Sequence, residues 1–130
     1  MSQLEDDDYA RVMEVIRHAV EADEQGDTPF ALQIMTAVVE EFPALAIGHS
    51  YLCWILSRSS QYREAIEHGR VGTQLSPTSE RVSLLLFRVL LASGERDLAF
   101  EEMKRFLAAG KSEEYSTMLA EWKESNDEVQ

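Results

Sequence analysis

Side chains that could do chemistry are sparse in this 130-residue chain, and their spacing matches no catalytic or metal motif. The histidines are His18, His49 and His68. None of them forms an HxxxH pattern or a Cys/His cluster, so a zinc site is not predicted. No P-loop or GxGxxG pattern is present, and the acidic run 6–8 lacks the glycine and glutamate of a calcium loop. We therefore predict no catalytic residues, no cofactor and no metal, and a protein that is not an enzyme.

The single cysteine indicates the redox environment in which the protein is expected to function. Cys53 cannot form an internal disulfide, which predicts a reducing, cytoplasmic setting. Its place on an apolar helix face predicts a buried core thiol. The acidic N-terminus has no hydrophobic segment of the kind found in signal peptides, and no apolar run is long enough to span a bilayer. A membrane is therefore not an expected partner.

The net charge of −12 is concentrated at the two ends of the sequence. Residues 1–27 hold nine acids and two bases, and residues 113–130 hold six acids and one base. Residues 28–112 hold nine of each. A nucleic-acid partner is not expected, because binding phosphates requires a basic face.

Three sets of residues recur at a spacing of 34, which indicates a repeat protein. The sets are Ala31, Ala65 and Ala99; Gly26, Ser60 and Gly94; and Pro43 with Pro77. A small residue in the second set lets a helix stop and the chain turn tightly. Alanine in the first set lets two helices approach closely, and proline ends a helix because it lacks an N–H group. The repeats are predicted at about 12–45, 46–79 and 80–113.

The pattern predicts an all-α protein of seven helices. They are expected at about 8–24, 29–42, 44–58, 62–74, 79–93, 96–108 and 113–125. Acidic tails of residues 1–7 and 126–130 flank this single domain of residues 8–125. The last helix has an apolar stripe at i, i+3, i+4 and i+7 from Tyr115 to Trp122, so we predict that it caps the third repeat.

Over residues 12–125 the chain resembles the tetratricopeptide repeat (TPR) family in repeat length and in its alanine, glycine and proline positions. The resemblance implies a right-handed superhelical stack of three antiparallel helix hairpins with a seventh, capping helix. It also implies a concave surface, lined by the first helix of each hairpin, that grips an extended peptide or a helix of a partner protein.

With that geometry, the first helices of the second and third hairpins, which are apolar nearly all round, present residues to a groove. The candidate binding residues are Arg17, Ile47, Tyr51, Trp54, Arg58, Arg81, Leu84 and Arg88; Leu91 is expected on the same side. Tyrosine, tryptophan and arginine dominate binding hot spots, and the four arginines would meet a ligand's carboxylates. The alternative is that Trp54 and Leu84 simply fill the core.

The leading hypothesis is a non-enzymatic adaptor or chaperone-like module that binds a segment of another protein. Two alternatives stay open: a homodimer or larger homo-oligomer that buries the groove against itself, and a small acidic chaperone of a bacterial secretion system. Some co-chaperones of the family clamp C-terminal carboxylates with lysines and asparagines. The corresponding positions here are Ile16, Val20, Tyr51, Arg81 and Leu85, so we predict no useful affinity for an EEVD-type tail.

Overall fold

The computed structural model describes residues 6–129, with side chains up to residue 125, and this part of the chain contains seven α-helices and no strand. The helices are α1 (Asp6–Glu24), α2 (Thr28–Glu41), α3 (Ala46–Arg58), α4 (Tyr62–Leu75), α5 (Glu80–Ala92), α6 (Arg96–Ala109) and α7 (Glu113–Val129). They form three hairpins, α1–α2, α3–α4 and α5–α6, followed by α7. The predicted fold class is confirmed. None of the described helices is long and apolar enough to cross a membrane.

The two end helices are longer than predicted. Helix α1 begins at Asp6, inside the predicted tail 1–7, because three consecutive aspartates in its first turn face the positive end of the helix dipole. The first five residues of that predicted tail lie outside the described residues. Helix α7 continues to Val129, four residues beyond its predicted end, so its backbone extends through most of the predicted tail 126–130.

One type of turn closes all three hairpins. At Gly26, Ser60 and Gly94 the backbone has φ angles of +93°, +60° and +86°. Each of these residues donates its N–H to the carbonyl three residues earlier, and the next residue donates to the carbonyl five residues before it, which is the Schellman pattern. Positive φ favours glycine, so Ser60 is the strained member of the set.

Alanine and glycine determine how closely the helices pack. The three repeat alanines, Ala31, Ala65 and Ala99, are fully buried. Between hairpins the small residue is glycine. A Cβ at Gly48 would lie 3.4 Å from Val38 of α2, and one at Gly69 would lie only 2.7 Å from Leu86 of α5. Without a side chain at these positions, the backbones of α2 and α3, and of α4 and α5, pack side by side.

Helix α7 docks through its first turns. Tyr115 is fully buried, and its ring contacts Phe87 of α5 edge-on and Phe106 of α6 at a tilt. The hydroxyl of Tyr115 lies 2.8 Å from that of Ser83, which itself donates to Glu102 at 2.7 Å. Because the single Ser83 proton goes to the carboxylate, Tyr115 must be the donor to Ser83. Burial raises the pKa of Tyr115, which keeps this phenol protonated.

The strained turn gives a stability prediction. Replacing Ser60 with glycine removes the cost of a left-handed backbone and should raise the free energy of unfolding by about 1 kcal/mol. Gly94→Ser is the matched opposite change, because a Cβ there would meet nothing within 4 Å and only the backbone strain would be added. That variant should lose a similar amount. Urea unfolding measures both, and a Ser60→Gly variant no more stable than the natural chain would contradict the prediction.

Candidate functional site

The first helices of the hairpins lie side by side, α1 next to α3 and α3 next to α5, and hollows open along them. The central hollow has a volume of about 450 Å³. Its lining comes from all three helices and from α7: Val20, Tyr51, Trp54, Glu80, Arg81, Leu84, Leu85, Arg88 and Glu114. Trp54 is half-buried, so it borders open space instead of being enclosed by the core.

Two further hollows adjoin the central one. A hollow of about 620 Å³ lies along α1 and includes Met13, Ile16 and Val20, and it shares Tyr51 with the central hollow. A third, of about 340 Å³, includes Ile47 and shares Arg81 with the central hollow. Tyr51 and Arg81 therefore stand where the three hollows meet. We call the three together the groove.

Tyr51 and Arg81 are joined by a hydrogen bond. The Arg81 Nη1 donates to the Tyr51 hydroxyl at 2.8 Å, which links α5 to α3 across the floor of the groove. Tyr51 is half-buried, whereas Arg81 is exposed. The bond fixes the guanidinium while leaving its remaining N–H groups facing solvent.

Most of the predicted binding residues line the groove, with two exceptions. Tyr51, Trp54, Arg81, Leu84 and Arg88 line the central hollow, whereas Arg17 and Ile47 line its neighbours. Leu84 is buried in the floor. The exceptions are Arg58 and Leu91.

Arg58 lines none of the three hollows. Its Nε donates at 3.1 Å to Asp23, a buried carboxylate at the end of α1 that also accepts from the Thr28 hydroxyl at 2.6 Å. This interaction ties the first hairpin turn to α3, since a buried carboxylate requires partners. Leu91 lies near the C-terminal end of α5 and lines a separate cleft against α7.

Three of the four arginines predicted to meet a ligand already pair with acidic side chains of the protein itself. Arg17 pairs with Glu14 at 2.7 Å and Glu21 at 2.6 Å on its own helix. Arg58 pairs with Asp23, and Arg88 pairs with Glu114 of α7. Among the described residues, only Arg81 of the four makes no ion pair. The groove thus offers one unpaired guanidinium between apolar walls.

The structure brings together two histidines that the sequence pattern did not connect. The Nδ1 atoms of His49 on α3 and His68 on α4 are 3.0 Å apart. The ring centroids are 5.3 Å apart with an angle of 24° between the planes, so the rings meet edge to edge in nearly one plane. His49 Nε2 lies 2.8 Å from the carbonyl oxygen of Pro43.

This arrangement fixes the protons of the pair. His49 must carry its proton on Nε2 to donate to Pro43, so its Nδ1 accepts from His68 Nδ1–H. Burial, and next the neighbouring His49, lower the pKa of His68, while Glu64 and Glu67 oppose that shift. The pair lies between α3 and α4 and lines none of the groove hollows, so we assign it to the stability of the second hairpin.

Other reactive groups in the described part of the chain are inert or dispersed. Burial raises the pKa of the Cys53 thiol to about 12, so it stays protonated and is a poor nucleophile. Within residues 6–129, no three histidine, cysteine, aspartate or glutamate side chains are grouped so that they could hold a metal ion.

Solved structures of TPR domains share this fold. The TPR2B domain of yeast Sti1 in its complex with pHsp70 matches with a TM-score of 0.65 at 21% identity, over 75% of this chain and 78% of that one. The first TPR of Spaghetti (RPAP3), bound to the HSP90 peptide SRMEEVD, matches with a TM-score of 0.71 at 12% identity, over 89% and 95%. The Sgt2 TPR domain from Aspergillus fumigatus gives 0.73 at 19%, over 92% and 81%. No protein-family model and no curated protein matches the sequence. The chain has the tetratricopeptide-repeat fold.

The histidine pair predicts a pH dependence of stability. Because the pKa of His68 is lower in the folded state than its ordinary 6.5, the unfolded chain binds more protons as the pH falls below that value. The contribution is fully present above pH 6.5 and is lost as the pH falls through the folded pKa. The free energy of unfolding should therefore fall less steeply on acidification in His68→Gln than in the natural chain.

Urea unfolding at a series of pH values measures this slope. His18→Gln is the control, because the side chain of His18 is 60% exposed. Equal slopes for His68→Gln and the natural chain would contradict the assignment.

Proposed function

We propose that this protein is a non-enzymatic interaction module, an adaptor or chaperone-like protein of the cytoplasm, that binds an extended or helical segment of a partner protein in its groove. The observation that carries the proposal is the open groove in which half-buried Tyr51 and Trp54 stand beside the unpaired Arg81. Tyrosine, tryptophan and arginine are the residues most often found in binding hot spots.

The walls of the groove support an apolar contact with the ligand. Val20, Leu84 and Leu85 join the two aromatic rings around the central hollow. The hollow along α1 adds Met13 and Ile16. Contiguous apolar surface of this kind marks interaction sites in soluble proteins, because leaving it in water is unfavourable.

The charges of the groove favour a ligand with a single carboxylate between apolar anchors. Arg81 can offer it a guanidinium that Tyr51 holds in place. An acid near Arg88 would instead have to displace Glu114, which already pairs with that arginine. Glu80 and Glu114 at the wall would repel a strongly acidic segment. The preferred segment is therefore mostly apolar.

Two of the similar structures are complexes, one with pHsp70 and one with the HSP90 peptide SRMEEVD, which supports a peptide as the ligand class here. The identity of this chain to them is only 21% and 12%, and the groove residues must decide the ligand's chemistry. Apolar Ile16, Val20 and Leu85 stand where lysines and asparagines would clamp a carboxylate-rich tail. We therefore propose a ligand of different composition.

A first prediction concerns the aromatic and cationic centre of the groove. A peptide-display selection on the natural chain should enrich segments with apolar anchors and one acid. For the best peptide, Trp54→Ala should weaken binding by about 2 kcal/mol, roughly thirtyfold, as expected for a hot spot. Arg81→Gln should cost about tenfold, the loss of one charge-assisted hydrogen bond. Isothermal calorimetry measures both affinities.

Arg58→Gln is the matched arginine control for that experiment. It should lower stability, because Asp23 loses a partner, and leave the peptide affinity unchanged. Light scattering on the natural chain should give a monomer at micromolar concentration, with its groove open to a foreign ligand. A stable dimer whose dissociation follows Trp54→Ala would favour the homo-oligomeric alternative and overturn the proposal.

A second prediction concerns acidic tails. The peptide SRMEEVD should show no saturable binding in the micromolar range, because the groove presents one unpaired guanidinium and two carboxylates of its own. Calorimetry against the natural chain tests this, with the same peptide carrying glutamine at both glutamates as the control. Micromolar affinity for SRMEEVD that the control peptide lacks would show that the acidic tail is a ligand after all.

A further inference from the structure

A second apolar cleft lies away from the groove, between α6, the end of α5 and the middle of α7. Its volume is about 380 Å³, and its walls include Phe87, Phe100, Met103, Met118, Leu119 and Trp122. No residue lining it also lines one of the three hollows of the groove. Tyr115 closes its inner end through contacts to Phe87 and Phe106.

The last interface has fewer close backbone contacts than the earlier ones. The Cα atoms of α7 come within 8 Å of the other described helices hardly anywhere. Between α4 and α5, by contrast, a Cβ at Gly69 would lie 2.7 Å from Leu86 of α5, and one at Gly72 would lie 3.3 Å from Val82. One repeat later, α6 carries Met103 and Phe106 at those positions, and α7 packs on α6 through side chains.

The lining is apolar and adaptable. Met103 is buried and Met118 half-buried, and methionine side chains adjust easily to the shape of a ligand. At the mouth, Trp122 is 56% exposed and Leu91 is 46% exposed. The volume falls within the range of roughly 300–1,000 Å³ typical of small-molecule sites.

One charge stands in this apolar lining. Arg96, at the start of α6, is the only charged residue that lines the cleft, and among the described residues it makes no ion pair. Lys104 lies 5.6 Å above the Phe100 ring, one turn further along the same helix wall. Arg96 and Lys104 thus place two cations beside the apolar cleft, with Glu95 and Asp97 adjacent to Arg96 in the sequence. The cleft is therefore complementary to an apolar molecule that ends in a carboxylate.

We propose that the α6–α7 cleft binds small amphiphilic carboxylates, with the alkyl or aryl chain between Met103, Met118 and Leu119 and the carboxylate on Arg96. The alkyl or aryl chain of the ligand makes the apolar contacts that a more closely packed α7 would have made. The carboxylate gains a charge-assisted hydrogen bond at the rim, where it stays partly hydrated.

The shape of the cleft favours such a molecule over a protein partner. The rings of Phe100 and Trp122 bridge α6 and α7 with centroids 5.7 Å apart, which leaves no room for a helix of about 10–12 Å diameter. A second copy of the chain would bring two acidic C-terminal segments together, since residues 113–130 carry six acids and one base.

The two tryptophans make the proposal testable, because Trp54 lies in the groove and Trp122 at the cleft. In a Trp54→Phe variant, the fluorescence of Trp122 should change saturably on titration with decanoate below the concentration at which it forms micelles. Octanoate should bind about fifteenfold more weakly, from about 0.8 kcal/mol for each of two missing CH₂ groups. Decylamine, with the opposite charge, should bind at least tenfold more weakly than decanoate.

The matched variant is Arg96→Gln in the same Trp54→Phe background. It should lower the affinity for decanoate about tenfold while leaving that for decanol unchanged. No saturable signal below the micelle concentration, or equal binding of decanoate and decylamine, would overturn the proposal. The proposal would also be overturned if decanoate changed only the fluorescence of Trp54, measured in a Trp122→Phe variant, because the ligand would then be assigned to the groove. Failure here leaves the proposed peptide binding in the groove untouched, since the two sites share no residue.

Discussion

Small residues allow the helices of the three hairpins to pack closely against one another. The repeat alanines Ala31, Ala65 and Ala99 are fully buried, and a Cβ at Gly69 or Gly72 would lie within 3.3 Å of side chains of both α3 and α5. Close approach buries the apolar faces of α3 and α5 on nearly every side, and it aligns the first helices so that their remaining faces form a groove. The groove therefore depends on the spacing of the helix backbones as well as on the side chains that line it.

The positive charge available in the groove depends on which of its arginines already form ion pairs with acidic residues. Arg17 finds Glu14 and Glu21 within one helical turn, and the hydrogen bond from Arg17 lowers the pKa of Glu14. Arg88 forms an ion pair with Glu114 of α7, which lies outside the three hairpins, so α7 affects the charge of the groove as well as the packing at the end of the stack. Arg81 meets only the neutral hydroxyl of Tyr51. Among the described residues that line the central hollow, Arg81 is thus the arginine without an ion pair.

The sequence was sufficient for the fold because the 34-residue spacing is a local, repeated signal. Each member of the Gly26, Ser60 and Gly94 set makes the same turn, which a single copy could not have shown. Pairings between helices were harder to predict. His49 and His68 lie 19 positions apart, and their contact requires the register of α3 against α4. The Arg58–Asp23 bond spans 35 positions, and the position of Leu91 depends on where α5 ends. These contacts depend on how the helices pack in three dimensions, which the residue types alone do not specify.

The last interface differs from the one before it at two positions of the repeat. Gly69 and Gly72 of α4 correspond to the buried Met103 and Phe106 of α6, and α7 makes few close backbone contacts with the other described helices. Tyr115 anchors α7 through its side chain. Its ring contacts Phe87 and Phe106, and its hydroxyl is connected to Glu102 through the Ser83 hydroxyl. That anchor acts only at the start of α7. Beyond it the two helices contact through the rings of Phe100 and Trp122, and the space between them is apolar because both faces carry the residues of a packing interface. The cleft therefore lies between two side-chain contacts, one at Tyr115 and one at Trp122, that hold α7 on the third hairpin.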